Sequence, residues 1–239
     1  MADGRWESGS FMIKLENVTK KYPTGNTALS DVTFTINRGD FVFFVGPSGS
    51  GKTTLFRLLI RQTVPTTGSI SIGDWDLVTL PNKKIPLLRK NIGVVFQDLK
   101  LLKDRTIYEN IMFPLEVGNF SAKDAHRRVT EILDQVGIVE HKDKFPVQLS
   151  GGELQRAAIA RALAFSPEII LADEPTGNLD NVTTWEIVRL LQEINSKGTT
   201  VLMATHDTNI VDNLLKRVIT LEKGKVVKDE VREKQHKHK

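Results

Sequence analysis

The run "GPSGSGKTT" carries the residue types needed to hold a phosphate: Gly46, Pro47, Ser48, Gly49, Ser50, Gly51, Lys52, Thr53 and Thr54. Its spacing is G-x-x-x-x-G-K-[ST]. Glycines there permit positive φ and a close backbone approach. Successive N–H groups would converge on one point, at the start of a helix whose dipole favours an anion. Lys52 would neutralise the β- and γ-phosphates, and Thr53 would offer its hydroxyl to Mg²⁺. The bland alternative is a glycine-rich turn with a solvated lysine, and the flanks of the loop argue against it. Phe41–Val45 is apolar without alternation and reads as a strand covered on both faces. Leucines at 55, 58 and 59 follow at helical spacing.

Two further clusters could do chemistry. In "IILADEP" the acids Asp173 and Glu174 follow an apolar run. A carboxylate at the C-terminal end of a parallel strand lies beside a phosphate loop, where hydrated Mg²⁺ needs oxygen ligands, which suits Asp173. Glu174 could polarise a water for attack on a γ-phosphate; alone, it could equally be a capping or surface acid. "LSGGELQR" (149–156) sets Ser150, Gly151 and Gly152 at a helix start, a second N-terminus suited to an anion.

The elements that must position these groups are legible in outline. Residues 12–22, 27–37 and 41–45 read as strands, with turns at 23–26 and 37–40. Segment 68–78 reads as a short hairpin and 92–97 as a strand leading to a loop at Gln97. "SAKDAHRRVTEILDQVGI" places Ala125, Val129, Ile132, Leu133 and Val136 on one helical face, with Ser121 as N-cap and Gly137 as stop. Another helix begins near Gly152. Strands at 168–174 and 199–206 flank a helix from 182, a β-α-β unit that implies a parallel pair. A hairpin at 217–230 closes the fold. The expectation is an α/β domain over 12–230 with a helical lobe inserted at about 98–163. Residues 1–11 read as a disordered leader or a remnant of expression, and 231–239 as a basic tail.

Composition narrows the function classes. At 239 residues, with 26% charged and 40% hydrophobic residues, the chain is ordinary for a globular protein. No apolar run reaches membrane-spanning length and no signal-peptide core is visible. The absence of cysteine excludes disulfides and thiolate metal sites. The net charge of +4 is concentrated in the tail, which reads as solvated. Elsewhere bases are interleaved with acids and no aromatic-basic platform appears, so nucleic acid is not the expected partner.

Taken together, "GPSGSGKT", "LSGGE", "IILADEP", Gln97 in its loop and His206 in "MATHD" resemble the nucleotide-binding subunit of an ATP-binding cassette (ABC) transporter, over residues 12 to about 230. The resemblance implies an α/β fold with a RecA-like P-loop core, an antiparallel β-subdomain and an inserted helical subdomain, using ATP and Mg²⁺. It implies that Tyr22 stacks on adenine, although a strand-end core aromatic is the other reading. By the same resemblance Gln97 contacts Mg²⁺ or the attacking water and reports nucleotide state to the lobe. Asp180 then lies at a dimer seam, and His206 holds the γ-phosphate or orients the water. Ser150, Gly151, Gly152 and Glu153 would meet the ATP held by a second copy, which implies an ATP-dependent head-to-tail homodimer.

Within that family the segments 85–111, 145–163 and "LADEPTGNLD" are most similar to the FtsE group of cell-division cassettes. That group works with the polytopic FtsX at the cytoplasmic face of the membrane and is linked to activation of peptidoglycan hydrolases. Lipoprotein-release and peptide or macrolide-export cassettes share "LADEPTGNLD" and remain the alternative. A soluble cassette of translation or DNA repair is a third reading, set back by the lack of a fused second cassette. The loop 99–105 is the expected dock for the partner, with Leu99, Leu101 and Leu102 rimmed by Lys100, Lys103 and Arg105. Ordinary packing of the lobe would explain the same leucines.

Overall fold

The computed structural model of the protein describes residues 11–232. All but Phe11 of the expected leader and most of the expected basic tail lie outside the described residues. Two sheets form the framework. The larger has the order β10-β9-β3-β8-β7-β6, built from β3 (Phe41–Val45), β6 (Ile92–Val95), β7 (Ile169–Asp173), β8 (Thr200–Ala204), β9 (Arg217–Glu222) and β10 (Lys225–Val231). The pairs β6–β7, β7–β8, β8–β3 and β3–β9 are parallel, and β10 closes the edge antiparallel. The smaller is antiparallel, with order β2-β1-β4-β5, from β1 (Ile13–Lys21), β2 (Thr27–Ile36), β4 (Thr67–Ile72) and β5 (Trp75–Asp76).

Strand β3 shows why its sequence does not alternate. Phe41 and Phe43 point into one core, with helices α3 (Ile107–Val117), α4 (Ala122–Val136), α5 (Gly151–Ala162) and α6 (Asn181–Ser196). Val42 and Phe44 point into the other, shared with the antiparallel sheet and α1 (Lys52–Leu59). Phe44 sits between Phe34 of β2 and Phe56 of α1, at centroid distances of 5.6 and 6.1 Å. Full burial of each such side chain contributes about 1.5–3 kcal/mol, so both layers are fastened to this strand.

Helix α4 runs as its periodicity requires. Ser121 accepts from the Asp124 N–H, the five apolar residues named above are buried, and Gly137 ends the helix at φ 71°. Helix α5 starts at Gly151, one residue before the expected start. Strand β7 stops at Asp173 because Glu174 turns into the left-handed region at φ 49°. Three helices have no counterpart in the sequence reading: α2 (Ile85–Lys90), α3 and α7 (Thr208–Leu214). The interval 98–163 contains α3, α4 and α5. No helix among the described residues is long and apolar enough to cross a membrane.

Candidate functional site

The glycine loop joins β3 to α1 as expected, and its shape is enforced by close neighbours. Gly46 has φ 148°, and a Cβ there would lie 2.1 Å from the carbonyl oxygen of Leu221 in β9. Gly51 has φ 111°, and a Cβ would lie 2.7 Å from the Ala28 oxygen of β2. The turn between β9 and β10 reinforces the same corner: Gly224 N–H donates to Ser50 O at 3.1 Å and its carbonyl accepts from Ser30 N–H at 2.8 Å. Only glycine tolerates these contacts with that backbone.

Helix α1 begins on Gly51 with no side-chain cap and no acidic residue in its first turn. Helices α3 to α7, by contrast, are capped by Thr106, Ser121, Ser150, Asp180 and Asp207. The orphan N–H groups of α1 thus have no competitor for an anion. Lys52 is only 6% exposed, and its ammonium donates to the carbonyls of Gly46 (2.7 Å) and Pro47 (3.1 Å). Ser50 Oγ is buried without a hydrogen-bond partner. A cradle of bare amides, a held cation and an orphan hydroxyl fits a polyphosphate.

A cavity of about 640 Å³ opens over this loop. It is lined by Ser48, Gly49, Ser50, Gly51, Lys52, Thr53 and Thr54, and by Tyr22, Gln97, Glu174 and His206. Gly46 and Pro47 lie behind it and line a smaller cavity with His206 and Arg232. Tyr22 carries the Lys20 ammonium 5.2 Å from its ring centroid, and its hydroxyl is 3.5 Å from Thr54 Oγ1. Asn26, Thr27, Ala28 and Arg57 also line the cavity. Sequence reasoning missed these four. Arg57 had a usable signal, because it stands four residues after Thr53 and so shares its helix face.

Thr53 Oγ1 donates to Asp173 Oδ2 at 3.0 Å, which joins the loop to the end of β7. Burial pushes the Asp173 carboxyl above its ordinary range, opposed by the Thr53 hydrogen bond. Two hard oxygen donors on a partly desolvated carboxylate fit Mg²⁺. Among the described residues no group of three or more His, Cys, Asp or Glu forms a metal cluster, so a cation here would depend on phosphate and water oxygens as well.

Glu174 and His206 occupy the ends of adjacent strands. Glu174 N–H donates to the Ala204 carbonyl at 3.0 Å, and Thr205 N–H donates to Phe44 O at 3.1 Å. These bonds bring Glu174 Oε2 to 3.2 Å from His206 Nδ1. A left-handed glutamate costs of order 1–3 kcal/mol, a strain concentrated at functional sites. Gln97 stands just beyond β6. Its loop turns through Leu99 and Lys100, both at positive φ, whose carbonyls accept from the Arg161 guanidinium of α5, Leu99 at 2.6 Å.

Ser150, Gly151, Gly152, Glu153 and Asp180 do not line this cavity. Ser150 and Glu153 form a capping box at the start of α5. Gly152 has a packing reason to be glycine, since a Cβ would lie 2.5 Å from Thr183 Cγ2 of α6. Asp180 caps α6, accepting from the Val182 and Thr183 N–H groups and the Thr183 hydroxyl. In the loop 99–105, Leu99 and Leu101 pack on the core, while Leu102 is 37% exposed.

A model of the ABC transporter family matches residues 29–177. The chain is 49% identical over 219 residues to the cell division ATP-binding protein FtsE of Streptococcus pneumoniae serotype 2, covering 92% of this chain and 95% of that one. It is 49% identical over 221 residues to the protein of the same name from Bacillus subtilis, covering 92% and 97%. Among solved structures it is similar to a dimeric ATP-binding cassette in a post-hydrolysis state bound to ADP and Pi, with a TM-score of 0.83, 39% identity, and 92% and 98% of the two chains covered. On the family match and on these relatives, the chain belongs to the ABC transporter family.

Proposed function

We propose that the chain is the ATP-binding and ATP-hydrolysing subunit of a membrane-associated ABC complex of the cell-division type, working as an ATP-dependent homodimer with an FtsX-like integral membrane partner. The observation that carries this reading is one cavity with an uncapped helix start and Lys52 on one wall, and Glu174 paired with His206 on the other. The names of the FtsE relatives support the cell-division assignment, and the dimeric neighbour supports the homodimer.

The α1 amides and Lys52 bind the phosphates, Ser50 Oγ gains a partner, and Tyr22 meets the base. Thr53, Asp173 and Gln97 would hold Mg²⁺, which when bound supplies neutralising charge to the β- and γ-oxygens. Glu174 accepts a proton from the attacking water, and His206 Nδ1 holds the Glu174 carboxylate in place. The Ser150–Glu153 end of α5 lies outside its own cavity, so it serves the ATP of a second copy, with Asp180 at the seam.

The partner's place is the loop 99–105, with the exposed Leu102, together with a groove of about 600 Å³ beside it to which that loop contributes only Lys100. Its floor is apolar, from Ile60, Ile92, Val94, Phe96, Pro114 and Phe165, and its cations are Arg89, Lys90, Lys100 and Arg161. That lining suits an amphipathic segment with acidic residues. Such a partner places this chain peripherally, at the cytoplasmic face of the membrane.

The test is Glu174→Gln followed by light scattering. A stable dimer in ATP and a monomer in ADP are expected. A monomer under both conditions would overturn the reading.

A further inference from the structure

The start of α5 carries a feature that its capping role does not explain. In its capping box, Glu153 Oε2 accepts from Ser150 N–H at 2.7 Å, and Glu153 N–H donates to Ser150 Oγ at 3.4 Å. The box consumes the amides of Ser150 and Glu153 and leaves those of Gly151 and Gly152 for an outside ligand. It also fixes a carboxylate in the first turn of the helix. An anion there suits the helix dipole, but it opposes an arriving triphosphate.

The second oxygen of that carboxylate is taken from outside the helix. His141, in the turn that follows α4, places Nε2 3.0 Å from Glu153 Oε1. The other ring nitrogen, Nδ1, is buried and has no hydrogen-bond partner. A proton on Nδ1 would be a buried unsatisfied donor, so the tautomer that fits carries its proton on Nε2 and donates it to Glu153. The Glu153 carboxyl is held below its ordinary range, first by the Ser150 backbone N–H and then by the Ser150 hydroxyl.

We infer that His141 is a positioning residue for the phosphate-receiving end of α5: it holds the free oxygen of Glu153, so that the cap keeps one geometry and its charge is engaged by a donor when the second copy's triphosphate arrives. The inference rests on the reading that this helix start meets ATP across a dimer.

The test measures the ATP-dependent dimer dissociation constant in the Glu174→Gln chain. His141→Ala is expected to weaken the dimer about tenfold, equivalent to about 1.4 kcal/mol. Affinity for a fluorescent ATP analogue, measured at concentrations where the chain is monomeric, stays unchanged, as does the melting temperature. His141→Gln, whose amide still offers a donor, restores dimerisation to within about threefold. In a Glu153→Gln background the cap carries no charge, so His141→Ala has no further effect. A dimer indifferent to His141→Ala overturns the inference. So does a loss matched by equal losses of single-site affinity and melting temperature. If the Glu174→Gln chain itself stays monomeric in ATP, the sandwich reading falls and the inference falls with it.

Discussion

Glu174 Oε2 lies 3.2 Å from His206 Nδ1, and the two residues reach each other only because β7 and β8 are adjacent parallel strands that end at the same level. Thirty-two positions separate them in the chain, and the whole of α6 lies between. Removing the imidazole frees a carboxylate whose backbone is already strained. His206→Ala should lower kcat about 100-fold while leaving ATP affinity within about threefold. Adding it to Glu174→Gln should cost little more, because two groups that act as a unit are not additive. Steady-state ATPase rates and nucleotide titration of the four proteins check this, and fully additive losses would separate the pair.

The glycine loop offers a stability prediction. A methyl group at Gly46 would lie 2.1 Å from the Leu221 carbonyl oxygen, which is backbone and cannot swing aside. Gly46→Ala should destabilise the fold by about 3 kcal/mol and abolish nucleotide binding. Gly25→Ala meets nothing within 4 Å, although its φ of 86° is equally unsuited to alanine. Its cost should stay near 1 kcal/mol, roughly that of one left-handed residue. Urea titration of both variants measures the difference.

The leucines after Gln97 separate packing from docking. Leu101 packs on the core and Leu102 is exposed. Leu101→Asp should therefore lower the melting temperature, and it is a poor probe of a partner. Leu102→Asp should keep melting temperature and ATP binding and abolish co-purification with the membrane partner. Mass spectrometry of what the parent chain retains from membranes identifies that partner, and equal recovery with the variant would remove Leu102 from the interface.

Acid should loosen the start of α3. The Glu109 carboxyl is held below the ordinary glutamate value of 4.5, first by the Thr106 backbone N–H. A carboxylate whose folded pKa is depressed contributes stability that is complete above the unfolded value and is lost as pH falls through the folded one. Glu109→Ala should melt below the parent at pH 7, and the gap should narrow as pH drops below 4.5. Circular dichroism melts from pH 7 to pH 3.5 follow it, and a gap that widens on acidification would contradict the assignment.

Local signals carried much of this architecture. β3, α1 and α4 were legible because a buried run, a glycine motif and a capped amphipathic stripe each specify an element unaided. Helix α3 was hidden by Pro114 inside it, since a helix-interior proline argues for a break. Helices α2 and α7 span only six and seven residues, too short for a periodicity to show. The left-handed turn at Glu174 depends on its bond to Ala204, a tertiary contact without local trace. Within the site, the glycine loop between β3 and α1 and the placing of Asp173 and Glu174 at the end of β7 were readable from residue type and spacing. The approach of Asn26 to Ala28 was not, because a different sheet delivers them.

The corner formed by Gly46, Leu221, Ser50 and Gly224 sets an order of events during synthesis. The loop sequence leaves the ribosome early, yet two of its neighbours, Leu221 of β9 and Gly224 of the turn that follows, are made near the end of the described chain. A half-made polypeptide therefore owns the phosphate motif without the shape that makes it bind. Nascent and prematurely terminated products should therefore be silent toward nucleotide, with competence arriving only when the last hairpin docks.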